Sequence, residues 1–193
     1  MERRDERGWV EVICGPMFSG KSEELIRRMT RYKIARVPVQ TFKPALDDRF
    51  ASHEVVSHSS LSVAAEPVAD SEALLKAVDK RTEVVGIDEG QFFDQGLVEV
   101  VEQLAASGIR VIVAGLDQDF LGRPFEPIPS LMLRAEYVTK ALAVCHRCGG
   151  AGMFTQRVID SDELVVLGAE DSYEARCRRC YDPGESEQTR LDV

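Results

Sequence analysis

The chain lacks what several function classes require. No apolar run approaches the ~18 residues of a membrane span, and none opens the sequence, so neither a transmembrane segment nor a secretory leader is expected. Positive charge is in deficit: 24 Lys and Arg face 33 Asp and Glu, a net charge of −9 at pH 7. A protein built to grip a nucleic-acid backbone needs the opposite balance, so neither nucleic acid nor membrane is an expected partner. Three histidines are too few to suggest a histidine-built catalytic cluster. The N-K-x-D guanine motif is absent, as are internal repeats and low-complexity tracts. What remains is 193 residues, 44% hydrophobic and 30% charged, enough for one core with a small appendage.

Against that background one segment stands out. Gly15-Pro16-Met17-Phe18-Ser19-Gly20-Lys21-Ser22 is a complete phosphate-binding loop, set behind the apolar strand Trp9–Cys14 and ahead of a helical pattern. Its end glycines let backbone N–H groups and the following helix N-terminus face a polyphosphate. Lys21 can reach the β/γ-phosphates and the Ser22 hydroxyl can bind Mg²⁺. The plainer alternative, a glycine-rich turn with a chance lysine, does not account for the strand–loop–helix context. A nucleoside triphosphate such as ATP is the expected ligand.

Hydrophobic periodicity places the rest. Leu25, Ile26, Met29, Tyr32 and Ala35 recur at helical spacing, and Pro38 closes that helix. Val39–Phe42 reads as a strand, followed by a polar stretch through Ser60 that reads as an ordered loop rather than a regular element. Asp70 or Ser71 caps a short helix with Leu74, Leu75 and Val78; Val84–Ile87 is a strand; Gly96–Ser107 is a helix ended by Gly108. Val111–Ala114 is a buried strand, Gly115–Pro129 is turn-rich, and Tyr137–Val144 is one more strand. Short apolar strands alternating with helices predict an α/β fold, a mostly parallel sheet with helices on both faces. Ligands of such sheets lie beyond the strands' carboxyl ends, where Gly15–Ser22 and Asp88–Gln91 could meet. A boundary near Ala143 divides an ATP-binding α/β domain, 1–143, from a small domain, 144–182, with 183–193 as a loose tail.

Asp88, ending its strand, stands where a phosphate-loop enzyme keeps the acid of its Mg²⁺ shell. Glu89 beside it could take a proton from an alcohol acceptor; two solvated charges in a turn are the alternative. Gly90 and Gln91 complete this motif. Phe92, Phe93 and Phe120 could sandwich a nucleobase, although a lone phenylalanine is core packing by default. Cys145-x-x-Cys148 and Cys177-x-x-Cys180 suit a tetrahedral thiolate zinc, structural because no position stays open. The alternatives are coincidence or a redox pair. A triphosphate loop without a leader implies a reducing cytoplasm, which disfavours disulfides. Cys14 reads as a buried thiol and His146 as a bystander. His53 and His58 read as loop residues.

With these segments in hand, the chain closely resembles the type II, zinc-bearing thymidine kinase family. The resemblance is carried by G-P-M-F-S-G-K-S, I-D-E-G-Q-F-F (Ile87–Phe93), L-D-Q-D-F-L-G-R-P-F (Leu116–Phe125) and Y-E-A-R-C-R-R-C-Y (Tyr173–Tyr181). It implies a RecA-like fold, a zinc-ribbon-like C-terminal domain with a substrate-binding lasso, and a homotetramer. It also implies γ-phosphoryl transfer from ATP to the 5′-hydroxyl of thymidine or deoxyuridine, with thymidine triphosphate as feedback inhibitor. By position, Glu89 corresponds to the proton acceptor and Asp88 to the magnesium-side acid. Met17 and Phe120 correspond to walls of the base pocket. Leu164, Val165, Val166, Leu167 and Gly168 correspond to lasso backbone at the thymine edge, and Tyr173 to a lid over sugar and base. Thr155 and Arg157 match a T-x-R piece near the same site; Asp47 and Arg49 match a D-x-R in a flexible loop. Rival readings fare worse on the residues. An adenylate-kinase-like enzyme has no use for a base, and a nucleic-acid motor would carry a basic surface.

Overall fold

The computed structural model describes residues 8–45, 54–56, 62–159 and 172–183. In chain order the first elements are β1 (Val10–Cys14), α1 (Lys21–Ile34), β2 (Val39–Pro44), β3 (Glu54–Val56), β4 (Ser62–Ala64), β5 (Glu66–Val68) and α2 (Ser71–Ala77). Next come β6 (Val84–Ile87), α3 (Leu97–Ala106), β7 (Arg110–Gly115), α4 (Ile128–Arg134) and β8 (Tyr137–Lys140). Four short strands close the chain: β9 (Ala143–Val144), β10 (Ala151–Gly152), β11 (Phe154–Arg157) and β12 (Tyr173–Arg176).

Six strands form one sheet in the order β5-β2-β6-β7-β1-β8, and every pairing within it is parallel. Strand periodicity of two explains how this sheet acquires helices on both faces. Val10, Val12 and Cys14 of β1, with Val111 and Val113 of β7, pack against Leu74 of α2, Leu97 and Val101 of α3, and Ile128 and Leu131 of α4. Ile13, Ile112, Ala114 and Val84 face the opposite way, onto Leu25, Ile26 and Met29 of α1. The helix comes close: a Cβ on Gly86 would stand 2.9 Å from the Met29 sulfur, so glycine lets α1 sit down on β6. Glu23 and Glu24 in the first turn of α1, with Arg31 and Lys33 in its last, complement the helix dipole. Asp70 caps α2 by accepting from the Ala73 amide.

Four departures from the sequence reading have physical causes. The stretch expected to be a loop through Ser60 includes β3, which pairs antiparallel with β4; Val55 and Val56 are strong strand formers, and the surrounding polar residues masked them. The expected strand Tyr137–Val144 breaks in two. β8 ends at Lys140, Ala141 donates to the Cys14 carbonyl at 2.8 Å, and β9 then pairs with β10 instead. Helix α4 was hidden because Pro129 reads as a helix stop, whereas in the first turn proline is a starter. Edge strand β5 is only three residues long and contains Pro67, a strand breaker by composition alone.

Candidate active site

Strands β1, β6, β7 and β8 all point their carboxyl ends at one edge of the sheet, and the candidate residues collect there. Gly15 leaves β1 at φ 142°, and a Cβ on it would lie 2.1 Å from the Ala141 carbonyl oxygen. No larger residue fits that turn. Phe18 and Gly20 are also left-handed, at φ 62° and 78°, which curls the loop into a concave nest of amides. Ser19 Oγ and Lys21 Nζ both donate to the Pro16 carbonyl, at 2.8 and 2.7 Å. Burial lowers the pKa of the Lys21 ammonium, while Glu89, Asp88 and Asp117 work in the other direction.

β6 delivers the acids. Asp88 is buried, its amide donates to the Phe42 carbonyl at 2.9 Å, and it accepts from Ser22 Oγ at 3.2 Å. Burial, then the neighbouring charge of Glu89, pushes its carboxyl up to about 7. Two hard oxygen donors beside a phosphate loop, one of them a buried carboxylate, suit a divalent cation of the Mg²⁺ type. Glu89 sits at φ 52°, a left-handed conformation that is uncommon for a residue with a Cβ. Strain of this kind gathers at working sites. Gln91 holds the carboxylate: its Nε2 donates to Glu89 Oε2 at 2.5 Å while its Oε1 accepts from the Leu116 amide at 2.9 Å. Gly90 opens the tight 3₁₀ turn between them.

The third group converges from the cysteine-bearing segment. Thr155 and Arg157 lie on β11, paired with β12, where Arg157 is opposite Tyr173. The Met17 amide donates to Thr155 Oγ1 at 3.0 Å, which joins the phosphate loop to this sheet. Arg157 Nη2 donates to the Tyr173 hydroxyl at 2.8 Å, and its guanidinium lies 3.6 Å from the centre of the Phe120 ring. Met17, Phe120, Thr155, Arg157 and Tyr173 are therefore one cluster. Leu164, Val165, Val166, Leu167, Gly168, Asp47, Arg49, His53 and His58 lie outside the described residues. Phe93 is a core residue, and Phe92 makes an edge-to-face contact with Phe125. Tyr181 is the residue the sequence reading passed over. Its hydroxyl donates to the Phe120 carbonyl at 2.7 Å and its ring stacks on Phe154 at 4.3 Å. Only its place at the end of the R-R-C-Y segment hinted at this.

Cys145, Cys148, Cys177 and Cys180 bring their sulfurs within 4.8 Å of one another. Cys148 and Cys177 are 3.6 Å apart, close to the ~3.8 Å between sulfurs of a tetrahedral site with Zn–S near 2.3 Å. Desolvation opposes ionisation of Cys145 and Cys177, yet backbone amides outweigh it and lower both thiols. Four sulfurs gathered this closely fit zinc. Cys14 is distant in role: buried, with its thiol pushed up to about 11, first by burial and then by Asp117. His146 is exposed, its ring edge-on to Phe18 at 6.5 Å.

Comparison with known proteins agrees with this geometry. The family model described as thymidine kinase matches residues 8–181. The chain is 55% identical over 176 residues to a thymidine kinase of Rhodothermus sp. (strain ITI 518), covering 91% of this chain and 82% of that protein. It is 53% identical over 175 residues to a thymidine kinase of Bacteroides thetaiotaomicron, covering 91% and 87% respectively. With a phosphate loop, an acidic pair and an aromatic–arginine cluster meeting at one sheet edge, the chain belongs to the thymidine kinase family.

Proposed function

We propose that this protein is an ATP-dependent thymidine kinase that transfers the γ-phosphoryl group to the 5′-hydroxyl of thymidine, and of deoxyuridine, through the residues gathered here. The observation that carries the reading is the Met17–Thr155 hydrogen bond, because it brings the phosphate loop and the Phe120–Arg157–Tyr173 cluster to one place. Backbone amides of Gly15–Ser22 and the Lys21 ammonium hold the triphosphate, exchanging their bonds to Pro16 for bonds to phosphate oxygens. Ser22 and Asp88 would hold Mg²⁺, which supplies charge neutralisation at the β- and γ-phosphates when bound. Glu89, fixed by Gln91, takes the proton of the attacking hydroxyl.

Met17, Phe120 and Tyr173 enclose the nucleoside, and the Arg157 guanidinium locks Phe120 and Tyr173 into one wall. Main-chain groups of Leu164–Gly168 read the pyrimidine edge, a mode in which a wrong base leaves buried donors unpaired. Cys145, Cys148, Cys177 and Cys180 would hold a structural zinc, which would tie together the chain on either side of that segment. The chain works as a homotetramer in the cytoplasm and is inhibited by thymidine triphosphate occupying both subsites. Among the described residues, no helix is long and apolar enough to cross a membrane.

A panel of nucleosides incubated with ATP and Mg²⁺ tests the assignment. Thymidine and deoxyuridine should be converted to monophosphates, and purine nucleosides should not. Conversion of purines alone would overturn it. Arg157→Ala tests the wall: thymidine KM should rise about tenfold through loss of the ring stack and the tyrosine hydrogen bond, with ATP KM held within about twofold.

A further inference from the structure

β7 and β8 flank β1 on opposite sides, so groups beyond their carboxyl ends meet only across the end of β1. Lys140, the last residue of β8, and Asp117, just past β7, meet there. Lys140 Nζ donates to Asp117 Oδ2 at 2.5 Å, with side-chain exposures of 36% and 6%. The bridge passes over Cys14, from which the phosphate loop departs. Both charges, together with Lys21, act on the Cys14 thiol. The next residue, Ala141, packs its carbonyl against Gly15.

Asp117 also begins the loop that carries Phe120. Its carbonyl accepts from the Phe125 amide at 3.1 Å, closing that loop at its base. Inside it, the Asp119 carboxylate accepts from the Leu121 and Arg123 amides, both at 2.9 Å. The loop is thus stiff within itself and fixed to the sheet edge by Asp117. A carboxylate this near Lys21 would oppose a bound triphosphate if left alone, since charges in a partly buried site are screened weakly.

We propose that Lys140 is a positioning residue for both substrates: it neutralises Asp117 beneath the phosphate loop and pins the Phe120 loop to the same strand end. This rests on the kinase reading in taking a triphosphate to occupy Gly15–Ser22 and thymidine to lie beside Phe120. Lys140 touches neither reacting atom and acts through Asp117. Two apolar residues could fill the same space, but they would fix no direction. A paired charge specifies which loop meets which strand end, and removing Lys140 leaves the buried Asp117 carboxylate without its partner.

Calorimetric titration of the full chain with ATP-Mg²⁺ and, separately, with thymidine tests this. Lys140→Met should weaken ATP binding about tenfold or more, the scale of one unneutralised charge near the phosphates. Lys140→Arg, which keeps the charge, should stay within about threefold of wild type. The double variant Lys140→Met/Asp117→Asn should recover ATP affinity to within about threefold, while thymidine binding stays weakened about tenfold for want of the anchor. ATP affinity unchanged in Lys140→Met, or a double variant no better than the single, would overturn the proposal. Should Lys140→Met not fold, Asp117→Asn alone decides. Removing the carboxylate should leave ATP binding equal or tighter and thymidine binding weaker, and weaker ATP binding would refute the strut. Wild-type protein that binds ATP but phosphorylates no nucleoside would sink the kinase reading while leaving the ATP titrations decisive for the Lys140–Asp117 pair.

Discussion

Glu89→Gln is expected to lower kcat by roughly 10²–10⁴, the usual worth of a positioned general base, with ATP and thymidine affinities nearly unchanged. The substitution is close to isosteric and keeps the contact with Gln91, whose Oε1 stays tied to the Leu116 amide. What it removes is the ability to accept a proton. Asp88 does not substitute, because it is turned toward Ser22 Oγ at 3.2 Å, away from the proton-accepting role. The left-handed backbone at Glu89, φ 52°, marks the same position as conformationally unusual. Steady-state kinetics and binding titrations on the same preparation read the split. Turnover within about threefold of wild type would remove Glu89 from proton transfer.

Zinc removal should have the second large effect, and it should fall on the nucleoside. Among the described residues around β9–β12, few are buried: Ala143, Cys145, Gly152, Phe154, Thr155, Arg157, Ser172, Tyr173 and Ala175. So small a core supplies little hydrophobic stabilisation. Structural zinc contributes on the order of 10–16 kcal/mol in zinc-finger peptides, comparable to the whole stability of a typical domain. Cys177→Ser should therefore release zinc and loosen β11 and β12, which present Thr155, Arg157 and Tyr173. Thymidine binding should weaken by more than about tenfold, whereas ATP, held on β1 and α1, should lose less. Metal analysis with parallel titrations measures both. A variant that keeps one tightly bound zinc and full thymidine affinity would contradict the structural role of the metal.

How legible each part was depends on how local its physics is. The phosphate loop is eight contiguous residues whose glycines answer a backbone need, so sequence alone located it and its strand–helix context. The core strands β1, β6 and β7 were equally plain, because buried parallel strands are continuous apolar runs. Asp88 and Glu89 followed from their position at a strand end. The aromatic–arginine wall was not derivable from spacing. Phe120 and Arg157 lie far apart in the chain, and only their resemblance to a family motif suggested a shared site. Tyr181 was hinted at only by its place in the Tyr173–Tyr181 segment, and the Lys140–Asp117 pair carried no local signal at all, since its partners meet only through the crossing of strands. Helix α4 failed for the opposite reason, a local signal from Pro129 that pointed the wrong way. The four-cysteine cluster was visible from two C-x-x-C spacings, yet what it adjoins became clear only when β11 and β12 placed Thr155 against Met17.

The central claim is that a nucleoside alcohol and the end of a triphosphate meet beside Glu89 at this sheet edge. A crystal structure of the protein with thymidine and a non-hydrolysable ATP analogue measures it directly. The account predicts the thymidine 5′-oxygen about 2.6–3.2 Å from a Glu89 carboxylate oxygen, or joined to it through one water. A thymidine bound elsewhere, or a Glu89 carboxylate turned away with no bridging water, would contradict it.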